Sequence, residues 1–117
     1  MNIQKFTKNS LQAVQDCEKI AYEYGNQEME EEHLLQALLK QEDSLILKLI
    51  EKMEIDKEHF GKRVEQALAK RVKVQGGQVY VGQYLNKVLI GAEDEAKQLG
   101  DEYVSVEHLF LAMIKTP

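Results

Sequence analysis

The chain has 117 residues, one domain's worth of protein, with 44% hydrophobic and 30% charged residues and a net charge of −5, a balance that fits a soluble globular fold. The acidic balance excludes a phosphate-tracking surface, because nucleic acid needs clustered Lys and Arg, and the short run Lys70-Arg71-Val72-Lys73 reads better as cations at a helix C-terminus. No apolar run reaches membrane-spanning length and no signal peptide opens the chain, so neither membrane nor export is expected; the lone Cys17 cannot form an internal disulfide and suits a reducing cytoplasm.

Trp is absent and the one Pro is Pro117, so helix is favoured throughout and an all-α fold is expected. Thr7 is a good N-cap, and Leu11, Val14, Cys17, Ala21 and Tyr24 place an apolar stripe along the helix that follows. Gly25 ends it in the left-handed conformation. The acidic run Glu28 to Glu32 reads as carboxylates gathered at the start of a second helix near Glu31, whose inner side carries Leu34, Leu35, Leu38 and Leu39. Asp43 or Ser44 starts a third, with Ile46, Leu49, Ile50 and Met53 inward. Asp56 caps a fourth, Ile55 and Phe60 forming a hydrophobic staple and Phe60, Val64, Ala67 and Leu68 facing the core.

Residues 72–82 break the pattern at Gly76-Gly77 and read as a linker. Val79-Tyr80-Val81 is β-prone without an obvious partner strand. Together with Val74 these apolar residues are more than a solvated linker needs, so they pack across an interface or line a binding surface. Beyond them Leu85, Val88, Leu89, Ala92, Ala96 and Leu99 mark a long helix, Gly100 stops it, and Ser105 caps a last helix carrying Leu109, Phe110, Met113 and Ile114.

The chain contains two copies of one unit. Gly25 and Gly100 set an offset of 75 residues, and at that offset Glu18, Ala21, Gly25, Glu32, His33, Leu34, Ala37 and Lys40 meet identical residues: eight identities over the 31 positions from Ser10 to Lys40, where composition alone gives roughly two. The expected organisation is one domain over 1–117, with repeat one at about 1–71, the linker at about 72–82 and repeat two at about 83–117. The third and fourth helices of a full second unit are expected beyond Lys115.

Catalytic chemistry finds little support. Nothing matches a phosphate-binding Gly-rich loop ending in Lys and Ser or Thr, and no Cys or His spacing suits zinc. The pairs Glu32-His33 and Glu107-His108 are the only candidates for metal or acid–base work, and they read better as first-turn structure that recurs because the unit recurs. Cys17 lies on an apolar stripe and reads as core. A binding module, not an enzyme, is expected, with no cofactor of its own.

The opening Phe6-Thr7, the doubled Glu-His-Leu helix and the stretch from Gly76 to Lys115 resemble the Clp N-terminal repeat domain over essentially the whole chain. In the second half, Gly76-Gly77-Gln78-Val79-Tyr80-Val81 leading to Asp101 through Leu109 is similar to the ClpB branch, the AAA+ protein disaggregases of the stress response. The resemblance implies a compact bundle of about eight helices in two pseudo-symmetric repeats. It implies capture of unfolded or aggregated polypeptide ahead of a threading ring, a hexamer in the parent that uses ATP and magnesium in AAA+ domains outside this chain and cooperates with DnaK-type chaperones through other parts. The isolated domain is expected to be monomeric. The client-handling positions it implies are Thr7, Asp101 and Glu107, with an apolar groove represented by Leu89 and by Tyr80, Val81 and Leu85. The ClpC and ClpA branches, which dock adaptors or bind phosphorylated arginine, offer an alternative through Glu32 and Glu107. Against it, Glu30 and Glu31 would repel phosphate, and many family members carry Pro or Thr where this chain has Glu31. A third possibility from another class is a free-standing helical scaffold.

Overall fold

Two helical hairpins, each closed by a glycine in the left-handed region, form the frame of the computed structural model, which describes residues 2–117. In the first, α1 (Lys8–Tyr24) ends at Gly25 with φ 70° and packs against α2 (Glu31–Leu39). In the second, α5 (Gln83–Gln98) packs against α6 (Val106–Lys115), with Gly100 at φ 73° between them. Two further helices, α3 (Leu45–Lys52) and α4 (Lys57–Lys70), follow the first hairpin. Helix α4 lies on α2, and α3 touches both α4 and α6, so repeat one wraps onto repeat two.

The caps are local and obey ordinary helix chemistry. The Thr7 side chain accepts from Ser10 N–H at 3.2 Å, Ser44 from Leu47 N–H at 3.1 Å, and Asp56 from Glu58 and His59 N–H at 3.1 and 3.2 Å. The core is one continuous cluster in which Leu34, Leu38, Leu68 and Leu109 are wholly buried and Leu85, Ile46 and Ile50 nearly so. Each such side chain contributes about 2 kcal/mol through burial. This is the all-helical two-repeat bundle expected, with six α-helices among the described residues where the resemblance implied about eight.

Four details depart from the periodicity. Met53, Leu99 and Ile114, placed inward by the pattern, are more than half exposed; each sits in the last turn of a helix or just past its end. The fourth is the linker. Tyr80–Val81 forms a short strand, β2, and its partner is β1 at Glu28–Met29, inside the acidic run read as helix start. The pair is parallel, with Glu28 opposite Tyr80 and Met29 opposite Val81. The rest of the linker is sewn to the same loop: Val74 N–H donates to Gly25 O at 2.9 Å and the Asn26 amide donates to Val72 O at 3.2 Å.

Candidate functional site

The repeats meet at two junctions related by the 75-residue offset, and every residue singled out as a client contact lies at or beneath one of them. At the first, Phe6 pairs in parallel with Val104: Thr7 N–H donates to Val104 O at 2.9 Å and Val104 N–H to Lys5 O at 2.7 Å. At the second, Val81 pairs with Met29 and Gly82 N–H donates to Met29 O at 3.0 Å. Phe6 and Val81 are equivalent, as are Met29 and Val104. The strand leading into each repeat's first long helix is therefore completed by the other repeat's inter-helix loop.

Each loop is pinned by its histidine. His33 Nδ1 accepts Glu30 N–H at 2.9 Å, and Nε2 lies 2.9 Å from Asn26 Oδ1, to which it donates. His108 repeats the arrangement: Nδ1 accepts Ser105 N–H at 2.9 Å and Nε2 lies 2.8 Å from Asp101 Oδ2. Burial, and next the Arg71 guanidinium nearby, hold His33 below the ordinary histidine value, which matches a neutral ring with its proton on Nε2. Both Glu-His pairs thus do structural work through their histidines, and no group of three or more metal-ligating side chains assembles among the described residues. Cys17 is fully buried and burial pushes its thiol up to about 12, which makes it an inert core residue.

At the second junction the acidic run is consumed residue by residue. Glu30 reaches across the seam, its Oε1 accepting Leu85 N–H at 3.0 Å. Leu85 is in the first turn of α5, whose N-cap Gly82 has no side chain to offer; repeat one therefore caps a helix of repeat two. A Cβ on Gly82 would fall 2.1 Å from that carboxylate oxygen. Glu32 is bound by Arg71 at 2.5 Å. Glu28 accepts the Tyr80 hydroxyl at 3.1 Å, and that bond raises the phenol's pKa. Burial, and then the Glu32 charge, raise the Glu31 carboxyl.

The expected client residues fall into three groups. Tyr80 and Val81 stand exposed on β2. Thr7, Asp101 and Glu107 gather at the first junction: Thr7 and Glu107 line one hollow with Ser105, and Asp101 and Glu107 line another with Leu99, Tyr103 and Leu111. Leu85 and Leu89 are buried in the core below, 1% and 5% exposed. Of the alternative pair, Glu32 already holds a guanidinium from its own chain, while Glu107 is exposed. Sequence reading missed Glu30, Asn26, Arg71 and Gly82 as members of the junction. The one signal for Asn26, Glu30 and Gly82 was the offset itself, which sets them against Asp101, Ser105 and Thr7; Arg71 has no counterpart at that offset.

This doubled helix–loop–helix architecture is matched by the family model described as the Clp repeat (R) N-terminal domain, over residues 5–117. The chain belongs to the Clp N-terminal domain family. Among its relatives, chaperone protein ClpB of Nitratidesulfovibrio vulgaris is 43% identical over 122 residues, covering 100% of this chain and 14% of that protein. ClpB of Porphyromonas gingivalis is 37% identical over 116 residues, covering 99% and 13%. This Clp N-terminal domain thus matches the N-terminal region of ClpB chaperones and spans about one-seventh of their length. Among solved structures, the Hsp104 N-terminal domain from Candida albicans superposes with a TM-score of 0.85 at 23% identity, covering 96% of this chain and 75% of that one. The N-terminal domain of the ClpV1 ATPase from E. coli EAEC gives 0.89 at 20% identity, covering 98% and 71%. At those identities the superpositions speak to the fold.

Proposed function

We propose that this domain captures unfolded or aggregated polypeptide for a ClpB-type ATP-dependent chaperone, as a binding module and not as an enzyme. The observation that carries this reading is the 43% identity to ClpB along the full chain. The exposed Tyr80 and Val81 at the seam between repeats support it, because an apolar strip on a rigid helical frame accepts apolar segments without demanding one sequence. Leu85 and Leu89 underlie the seam and hold it in shape. Thr7, Asp101 and Glu107 supply a polar, acidic patch at the other junction that favours clients carrying Lys or Arg. The threading ring, its ATP and magnesium, its hexameric state and its DnaK-type partners belong in this reading to the remainder of a longer cytoplasmic protein. No described helix is long and apolar enough to cross a membrane.

The test is an NMR titration of the domain with an unfolded model protein. Shifts at Tyr80, Val81, Asp101 and Glu107 are expected. Shifts confined to Glu32 and Glu107, and seen only with phosphoarginine, would replace this reading with the ClpC type. No shift with either ligand would leave a helical scaffold.

A further inference from the structure

Strand β2 has one open edge. Tyr80 N–H donates to Gln27 O at 2.9 Å and Gly82 N–H to Met29 O at 3.0 Å, so the main-chain groups of these two residues face β1. Successive residues of a strand turn their main-chain groups to opposite sides. The N–H and C=O of Val81 therefore face outward, and no hydrogen bond among the described residues uses them.

The pseudo-symmetric position shows that this openness is not imposed by the fold. Phe6, the equivalent of Val81, donates its N–H to Ile3 O at 3.2 Å within a short 3-10 turn, and its side chain is 6% exposed. At Val81 the preceding Gly76-Gly77 segment forms no such turn, and Val81 and Tyr80 are 42% and 48% exposed. One junction uses its outward N–H internally and buries the side chain, while the other leaves both open. Beside β2 the charge is negative: exposed Glu28, on the neighbouring β1, is bonded to the Tyr80 hydroxyl on the face that a docked segment would adjoin.

The geometry points to strand addition at β2: an extended client segment docks on the outer edge of Val81, exchanging main-chain hydrogen bonds with it. Its apolar side chains rest on Tyr80 and Val81, and a flanking Lys or Arg faces the exposed Glu28. The inference rests on the client-capture reading and adds its mode. A main-chain mode explains tolerance of client sequence, since every residue but Pro offers the same donor and acceptor. With a two-residue strand, binding is weak and quickly reversible, as suits a first capture step.

The experiment is amide hydrogen exchange by NMR on this domain, with and without a peptide alternating apolar residues between terminal lysines, about ten residues long so that at about 3.3 Å per residue it overruns β2. Slowed exchange is expected at Val81, with Tyr80 and Gly82, already bonded, little changed. Val81→Pro removes the outward donor at a position where an edge strand tolerates Pro; it should fold and lose affinity about fivefold or more, one hydrogen bond's worth, whereas Val81→Ala keeps the protection. Binding of the peptide with no slowing at Val81 would overturn strand addition and leave client capture intact. Should neither the peptide nor an unfolded model protein bind, both readings fall. Protection that appears without peptide and grows with domain concentration would make a second copy the occupant and overturn the client assignment. If Val81→Pro does not fold, exchange at Val81 in the unaltered domain decides alone.

Discussion

Replacing Gly82 by Ala probes the seam most directly. The added Cβ would lie 2.1 Å from Glu30 Oε1, 2.2 Å from Cδ and 2.7 Å from Oε2. The obstacle is the end of a flexible side chain, so the carboxylate swings aside and the backbone stays. What is lost is the bond from Leu85 N–H to Glu30 Oε1, a charged cap on a helix N-terminus worth about 1–2 kcal/mol. Glu30→Ala deletes the same bond together with the carboxylate's part in the capping box of α2, and should cost at least as much. With Glu30 already truncated, the Cβ meets no carboxylate, and Gly82→Ala should change stability by no more than about 0.5 kcal/mol, a poorer cap offsetting a stiffer unfolded chain. Urea denaturation followed by helical circular dichroism, on all four members of the cycle, should give a coupling of about 1–1.5 kcal/mol. Strictly additive losses would refute the argument, because they would mean that Gly82 does not make room for Glu30.

Three further outcomes are expected. His33→Ala strands Asn26 Oδ1 in a buried site and Glu30 N–H in a partly buried one and should cost about 3–5 kcal/mol, while His108→Ala should cost only about 1–3 kcal/mol, since its partner Asp101 is half exposed and can rehydrate; chemical denaturation of both checks the order. Because His33 is held below its ordinary value, the unfolded chain binds a proton that the folded chain refuses, so stability should fall as pH drops below about 6.5. Glu31, its carboxyl raised by burial, acts in the opposite sense at lower pH, so the His33 contribution should be read as the difference between the wild type and His33→Gln, which removes the slope. Cys17, buried with its thiol at about 12, should resist thiol reagents in native buffer and react promptly in denaturant; native labelling at a free-thiol rate would contradict its placement.

What could be read directly was local. Thr7, Ser44 and Asp56 cap the helices they precede because capping needs only the next three residues, and Gly25 and Gly100 end hairpins because only glycine takes that conformation cheaply. Leu34, Leu38, Leu85 and Leu109 announce themselves by period. The pairing of Tyr80–Val81 with Glu28–Met29 does not, since two residues inside an acidic run carry no strand signal and the partner lies 52 positions away. Glu30 as a cap of α5 was hidden for the same reason: it looks like a carboxylate at the start of its own helix, which it is, and it serves the start of another as well. Among the expected client residues, Tyr80 and Val81 were visible as apolar residues that a solvated linker does not need. Asp101 looked like a rim charge, and its bond to His108 emerged only from the folded loop.

The reciprocal strand pairing has a consequence for how the molecule comes apart. Each hairpin supplies the docking strand that its counterpart lacks, so neither half presents a finished surface when alone. Exposed Gly76 and Gly77, both at positive φ, tether the halves yet contribute little to the seam itself. A protease nick there would sever the chain while Phe6–Val104 and Met29–Val81 still clasp from both sides. The two pieces would behave as a fragment-complemented pair, dissociating only when the whole fold melts.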